Sequence, residues 1–242
     1  MIGSGVAMGV SSTVIGSGTA ASTFSIALGY KANAAAEYSI AMGNESTTTA
    51  GCSMAMGYQA LAEGWGSIAM GQSTVAHGQD SLAAGQYTYA GGDRSTALGC
   101  VTYAGGEACI AAGVHTYAWG IGSLSLGAYN NTSGDYSQAL GYAVAAQSYA
   151  QTVIGQYNVI PQFNSTQWVP TEELFTIGNG TSQATPSNAM VVKKNGDTQI
   201  NGKLTVSGSS GGLVVSGTNN VVLINPAGDL SMGAFTTGTA PQ

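Results

Sequence analysis

Small residues recur at every second position along most of the chain, in blocks of constant length. Stepping by fourteen from Ser25 gives Ser39, Ser53, Ser67, Ser81, Ser95, Cys109, Ser123 and Ser137. Two residues after each stands Ala27, Ala41, Ala55, Ala69, Ala83, Ala97, Ala111, Ser125 or Ala139, and two further on a glycine, from Gly29 to Gly141. Nine repeats in one register lie outside compositional chance. The register begins raggedly at Gly5-x-Ala7-x-Gly9 and Ser12-x-Val14-x-Gly16, and fades at Gln151-x-Val153-x-Gly155. Each repeat splits into halves of seven, the second also alternating, as in Thr74-x-Ala76-x-Gly78. Period two predicts a strand with one face of small residues. Five residues of strand and two of turn, twice over, predict one coil of a β-solenoid. Coils stacked at about 4.8 Å give a rod roughly 45 Å long.

Counting from the serine as position 1, positions 1, 3, 5, 8, 10 and 12 are small and are predicted to face a narrow interior. Positions 2 and 4 must then face outward, yet they are apolar: Ile26 and Leu28, Ile40 and Met42, Met54 and Met56, Ile68 and Met70, Leu124 and Leu126. A continuous outward apolar stripe predicts an association surface. Positions 9 and 11 face outward from the second sheet and are mixed: Asn33, Thr47, Glu63, His77, Tyr89, Tyr103, Tyr117 and Trp119. That sheet is expected to face solvent. The charges agree with this register. Lys31, Glu37, Glu45, Asp80, Asp93, Arg94, Glu107 and Asp135 occupy turn positions 6, 7, 13 and 14, and Glu63 is outward at position 11. None is buried or on the stripe, as the cost of burying charge requires. One dry stripe and one wet sheet per coil predict subunits around a shared axis. A cyclic trimer is the natural solution, and the pattern also allows a dimer.

The doubled S-x-A-x-G-x-x half-repeat, over about residues 5–155, resembles the YadA-type head repeat of trimeric autotransporter adhesins. The resemblance implies a left-handed parallel β-roll assembled as a homotrimer that binds host surfaces or matrix. The same repeats occur in phage tail fibres. The segments Leu174–Ser182 and Ser187–Asp197 resemble the module that precedes the endosialidase-type chaperone in such fibres. That chaperone is absent, as is an autotransporter's heptad stalk or membrane barrel, so a matured or truncated fibre is expected.

Composition shifts near Tyr157. The predicted organisation is an all-β chain: β-roll over 1–156, a neck with Pro161, Trp168 and Pro170 over 157–173, a short-stranded β region over 174–235 interwoven with partner chains, and a tail over 236–242. Met190–Lys193 and Thr198–Ile200 flank Lys194-Asn-Gly-Asp197, a hairpin-turn signature. Strands are also expected at Lys203–Val206, Gly212–Val215 and Val221–Ile224.

Charged residues make up 7% of the 242 and apolar ones 44%. That balance excludes a disordered chain, and the missing G-X-Y period excludes collagen. A net charge of −6 with five Lys and Arg leaves no basic patch, so nucleic acid is not an expected partner. No apolar run is long enough for a membrane-spanning helix. The N-terminus lacks the basic-then-apolar pattern of a secretory signal. Cys52, Cys100 and Cys109 form neither a disulfide framework nor a C-x-x-C pair, and no metal or cofactor is expected.

Candidate chemistry is sparse. His77 and His115 have no carboxylate at a recognisable spacing, and Glu172 and Glu173 should face opposite ways in a strand. Catalysis is therefore not expected. Cys109 replaces an inward serine as a small core residue. Thr74, Thr88, Thr102 and Thr116 form the kind of row that can order ice, but at inward position 8. Tyr89, Tyr103 and Tyr117 hold position 9 in consecutive coils and should stack as an outward ladder, closed by Trp119, with Gly91 and Gly105 leaving the rings' flanks open. These four are the candidate receptor-binding residues, for a cell-surface glycan or protein. The expected function is an extracellular fibre or adhesin, most readily of phage tail-fibre type on a virion. A purely structural filament or an autotransporter fragment on a cell surface are the alternatives.

Overall fold

A computed structural model of the chain describes residues 3–204, of which those up to Gly202 form one compact unit. The strands expected beyond Lys203 and the tail over 236–242 lie outside the described residues. The unit is a β-solenoid without helix, built from two parallel sheets of unequal arms. One sheet has 14 strands, mostly five residues long, such as Ile68–Gln72; the other has 11 strands of two residues, such as Val75–Ala76. Successive coils pair in register at a spacing of fourteen, so Ile68 lies beside Leu82 and Tyr89 beside Tyr103.

The two halves of a coil were expected to be alike and are not. Position 6 belongs to the long strand, and positions 12 to 14 are spent on a turn. In the coil ending at Ser67 this turn is closed by the Ser67 N–H on the Gly64 carbonyl at 3.1 Å. Position 1 explains its preference for serine here. The Ser53 hydroxyl donates to the Ala50 carbonyl at 2.6 Å, and Ser39 to Ala36 at 2.7 Å, so in these coils a buried hydroxyl pins the turn that precedes it, while Ser67, Ser81, Ser95 and Ser123 make no such bond. Positions 7 and 14 are the corners, and both are left-handed even where the residue is not glycine: φ is 54° at Tyr87 and 57° at Arg94. This conformation reverses the peptide. Strand N–H groups donate forward to the next coil, as Leu82 to Ser95, whereas corner N–H groups donate back, as Tyr87 to Gln72. Each corner thus keeps its backbone paired in spite of the local strain.

The interior is as narrow as the sequence predicts at positions 1, 3, 8 and 10. Ala69, Ala83, Ala97, Ala76, Ala90 and Ala104 are fully buried, as are Ser67, Thr74 and Ser95. Among the described residues the largest fully buried side chains, Val14, Val144 and Val153, lie near the ends. Position 5 corrects the sequence reading. Its glycines do not fill the core; most are half-exposed or exposed, and their φ is positive, 128° at Gly85. A Cβ at Gly85 would overlap the carbonyl oxygen of Gly99 in the next coil. Glycine is there because the coils approach too closely for any side chain.

The long-strand sheet continues past the last regular coil. Glu173–Asn179 pairs in parallel with Thr152–Gln156, then Asn188–Lys193 and Thr198–Ile200 add antiparallel, joined by the predicted hairpin turn at 194–197. The short-strand sheet stops at Ala145–Ala146, and the Asn158 amide closes it by accepting from the Ala145 N–H at 2.8 Å and donating to its carbonyl at 3.0 Å. A side chain thus covers an edge that would otherwise invite strand addition.

Besides the backbone pairing of the strands, a buried lysine ties the hairpin to the roll. The Lys194 side chain is fully buried; its Nζ donates to Ser148 Oγ at 2.7 Å and to Glu172 Oε2 at 3.1 Å, and it lies 5.5 Å from the Trp168 ring centre. Burial pushes the Glu172 carboxyl up, but hydrogen bonds from Ser148, Lys194 and the Asn164 N–H, with the lysine charge, outweigh it and hold the group below the usual range. Burial dominates at Glu173 and raises it, although Thr176 and Gln151 donate to its Oε2 at 2.6 Å and 2.9 Å.

Three outcomes are expected in denaturant unfolding. Gly85→Ala should cost about 3 kcal/mol or prevent folding, because positive φ and a backbone clash act together. Tyr87→Gly, at a corner that already tolerates a side chain, should be near neutral. Lys194→Met should cost about 2 kcal/mol, the value of a charged hydrogen bond near the edge of a narrow rod. The two glutamates have opposite pH signatures. Stability from Glu172 is present above the ordinary carboxylate pKa and is lost as pH falls through its lowered value. Glu173 contributes below that pKa and loses its contribution as pH rises through its raised value. Glu173→Gln should therefore be more stable than wild type at pH 8, with the difference vanishing near pH 4.

Candidate functional site

The residues expected to form a subunit seam lie together along the outer face of the long-strand sheet. Ile26, Ile40, Met54, Ile68 and Leu124 make one row, and Leu28, Met42, Met56, Met70 and Leu126 the next. Among the described residues none of these ten side chains is fully buried. Met70 stays 39% exposed and Leu126 37%, with Leu98 and Ile110 exposed between them. Thr96 and Gln138 interrupt the stripe.

On the short-strand sheet the aromatic ladder forms, with a different path. Tyr89 stacks on Tyr103 at 4.5 Å between ring centres, but the nearest ring beyond Tyr103 is Trp119, at 4.4 Å, rather than Tyr117. Tyr117 lies parallel to Trp119 at 6.4 Å. The ladder thus crosses from position 9 to position 11. Gly91 and Gly105 do not leave the rings open: a Cβ at Gly91 would strike the Tyr89 ring, and one at Gly105 the Tyr103 and Trp119 rings. The glycines are a floor on which the rings lie, and the ring faces are spent on one another. Burial, and then Tyr89, raise the Tyr103 phenol pKa.

Other sequence candidates resolve plainly. His77 does have a carboxylate partner: its Nδ1 is 2.8 Å from Glu63 Oε2, because position 11 of one coil adjoins position 11 of the next. The spacing of fourteen was the signal. Cys109 is buried, its thiol donates to the Ala118 carbonyl at 3.3 Å, and burial pushes its pKa up to about 11. Thr74, Thr88, Thr102 and Thr116 are buried, so no threonine row there meets ice. Glu172 and Glu173 point to separate partners, as described above.

One feature is built from residues that no motif marks. Where the short-strand sheet ends, Tyr129, Tyr142 and Tyr157 line a cavity of about 710 Å³ whose far wall is Val159, Ile160 and Pro186. Tyr142 meets Tyr129 edge-on at 5.6 Å and 73°, and Tyr157 at 5.4 Å and 77°. His115 stacks on Tyr129 from the roll side at 5.1 Å. The sequence signal is aromatic residues at corner positions 6 and 7 in successive coils. The far wall arises only because the neck turns back over the last coil, where the Tyr149 N–H donates to Asn164 and the Asp135 N–H to Ser165.

Residues 20–46, 53–74 and 76–99 match the YadA head domain repeat. No curated protein matches the chain closely enough to add to this. Assembly into trimers is a general property of YadA-type heads. The matched segments lie within the regular coils, where the buried Ser and Ala, the glycine column and the spacing of fourteen all hold. The coils over residues 20–99 are therefore similar to YadA-type head repeats.

Proposed function

We propose that the chain is a homotrimeric, extracellular fibre or adhesin without enzymatic activity, used for attachment to a cell surface, and that its apolar stripe is the seam between subunits. The observation that carries this is the stripe itself. A bore lined by Ala, Ser and Thr cannot take in Ile, Leu or Met, and the stripe stays half-exposed in one chain. Moving a half-exposed Leu or Met fully out of water contributes about 1 kcal/mol, so ten of them per chain supply enough to offset the cost of association. The family's trimeric habit supports three subunits over two. Among fibres of this kind we favour a phage tail fibre, on the resemblance of Leu174–Asp197 to the module before a fibre chaperone. A virion location goes with that reading. The rings of Tyr89, Tyr103, Tyr117 and Trp119 favour a second reading for the rod's flank, as a spacer, because stacked rings stabilise the sheet without offering their faces.

Met56→Glu with Met70→Glu should abolish assembly, seen as loss of the oligomer peak in size-exclusion chromatography with light scattering. Full-length oligomer carrying a fluorescent label should bind a panel of bacterial cells saturably on at least one host. Binding to no cell type by a well-assembled oligomer would favour the spacer. Tyr89→Ala, Tyr103→Ala and Tyr117→Ala together should keep the oligomer, and unchanged cell binding by that triple variant assigns the ladder to sheet stability.

A further inference from the structure

We propose that the cavity at the end of the short-strand sheet is a binding site for a neutral saccharide. This deepens the adhesin reading and rests on it.

The lining defines the ligand class. No Asp, Glu, Lys, Arg or His contributes to it. An anionic sugar, a phosphate or a basic peptide would find no counter-charge, and burying its charge unpaired is costly. The walls supply instead the two things a neutral sugar ring needs. The first is aromatic faces for its C–H surface. An edge-on contact occupies a face on only one of its two rings, so Tyr142 and Tyr157 retain face area that the stacked ladder has spent, whereas Tyr129 gives one face to His115. The second is neutral groups that both donate and accept, as a hydroxyl does. Asn131, Gln147 and Gln183 bring three amides to the rim, and among the described residues none of the three has a side-chain hydrogen-bond partner. The neighbouring buried amides are all engaged: Asn130 holds Leu126, Gly141 and Val144, and Asn158 holds Ala145. Asn158 also lines the cavity but is spent on closing the sheet, so the amides left to meet a ligand are the solvent-facing Asn131, Gln147 and Gln183.

Size and placement agree. About 710 Å³ falls within the range typical of small-ligand pockets and accommodates a short oligosaccharide. The lining comes from the corner at positions 6 and 7 and from the short strands, and includes none of the Ile, Leu and Met residues assigned to the seam. Repetition of the site in each subunit would raise a weak single-site affinity through avidity.

The test uses the full chain as purified oligomer on an array of neutral and anionic oligosaccharides, with titration of the best neutral probe by calorimetry. Wild type should bind neutral chains. Tyr142→Ala should lower affinity at least tenfold and Gln183→Ala severalfold, with the oligomer intact, while Tyr103→Ala should change nothing. Neutral-sugar binding that survives both cavity variants, or that is lost with Tyr103→Ala, overturns the cavity assignment and leaves the adhesin reading standing. So does binding of anionic chains alone, or cell attachment without any saccharide binding. Dissociation of the oligomer by both Tyr142→Ala and Gln183→Ala would make the cavity a subunit contact and overturn the proposal. Absence of both saccharide and cell binding defeats the adhesin reading and the site with it.

Discussion

The bore of the roll is the constraint on which the other features depend. Two sheets joined by tight left-handed corners lie too close together for anything beyond Ala, Ser, Thr or Cys between them over most of the length. A core of that kind buries little apolar surface per residue. Hydrophobic area must be found elsewhere, and the sequence places it on the outside of the long strands, where the described residues leave it half-exposed. In-register backbone pairing carries much of the order within the chain, and the glycine column keeps the coils close enough for it. The stripe then couples the fold to assembly on the proposed reading.

The polar groups in the bore follow from the same geometry. Position 1 hydroxyls reach the turn carbonyl three residues back at Ser25, Ser39, Ser53 and Ser137, whereas those of Ser67, Ser81, Ser95 and Ser123 are buried without a partner. At the C-terminal end the cross-section is closed by larger polar side chains rather than hydrophobic ones. Gln151 bonds Glu173 and Thr176, Asn158 imitates a missing strand, and Lys194 ties the hairpin to Ser148 and Glu172. Of these, the Asn158 amide caps the short-strand sheet, while the long-strand sheet goes on to Thr198–Ile200. The change from repeat to cap also creates the one broad concavity described here, because the neck folds back across corners that carry tyrosines.

Much of this was legible in the residues. Alternation at period two, repeated at fourteen, reveals strands, coils, the buried columns and the outward stripe, since side-chain size alone separates inside from outside. What escaped is conformational or tertiary. Glycine at position 5 looks like one more small core residue, and only its positive φ and the carbonyl of the next coil show why it is obligatory. The unequal halves were hidden because both obey the same small-x-small pattern. Tyr103 pairs with Trp119 across columns because long side chains lean, which a register cannot express. His77 and Glu63 were separable in sequence and adjacent in space for the same reason that the solenoid exists. The cavity at Tyr129, Tyr142 and Tyr157 needed the path of the neck, which carries no period to read.

If a narrow bore forces the apolar residues into a shared seam, the wild-type chain should not exist as a folded monomer. Sedimentation equilibrium of the full chain from micromolar to nanomolar concentration addresses this directly. One species of three chain masses, unchanged on dilution, is expected. A soluble single-chain species with the β-sheet circular dichroism of the assembled protein would contradict it, because the stripe would then be stable in water.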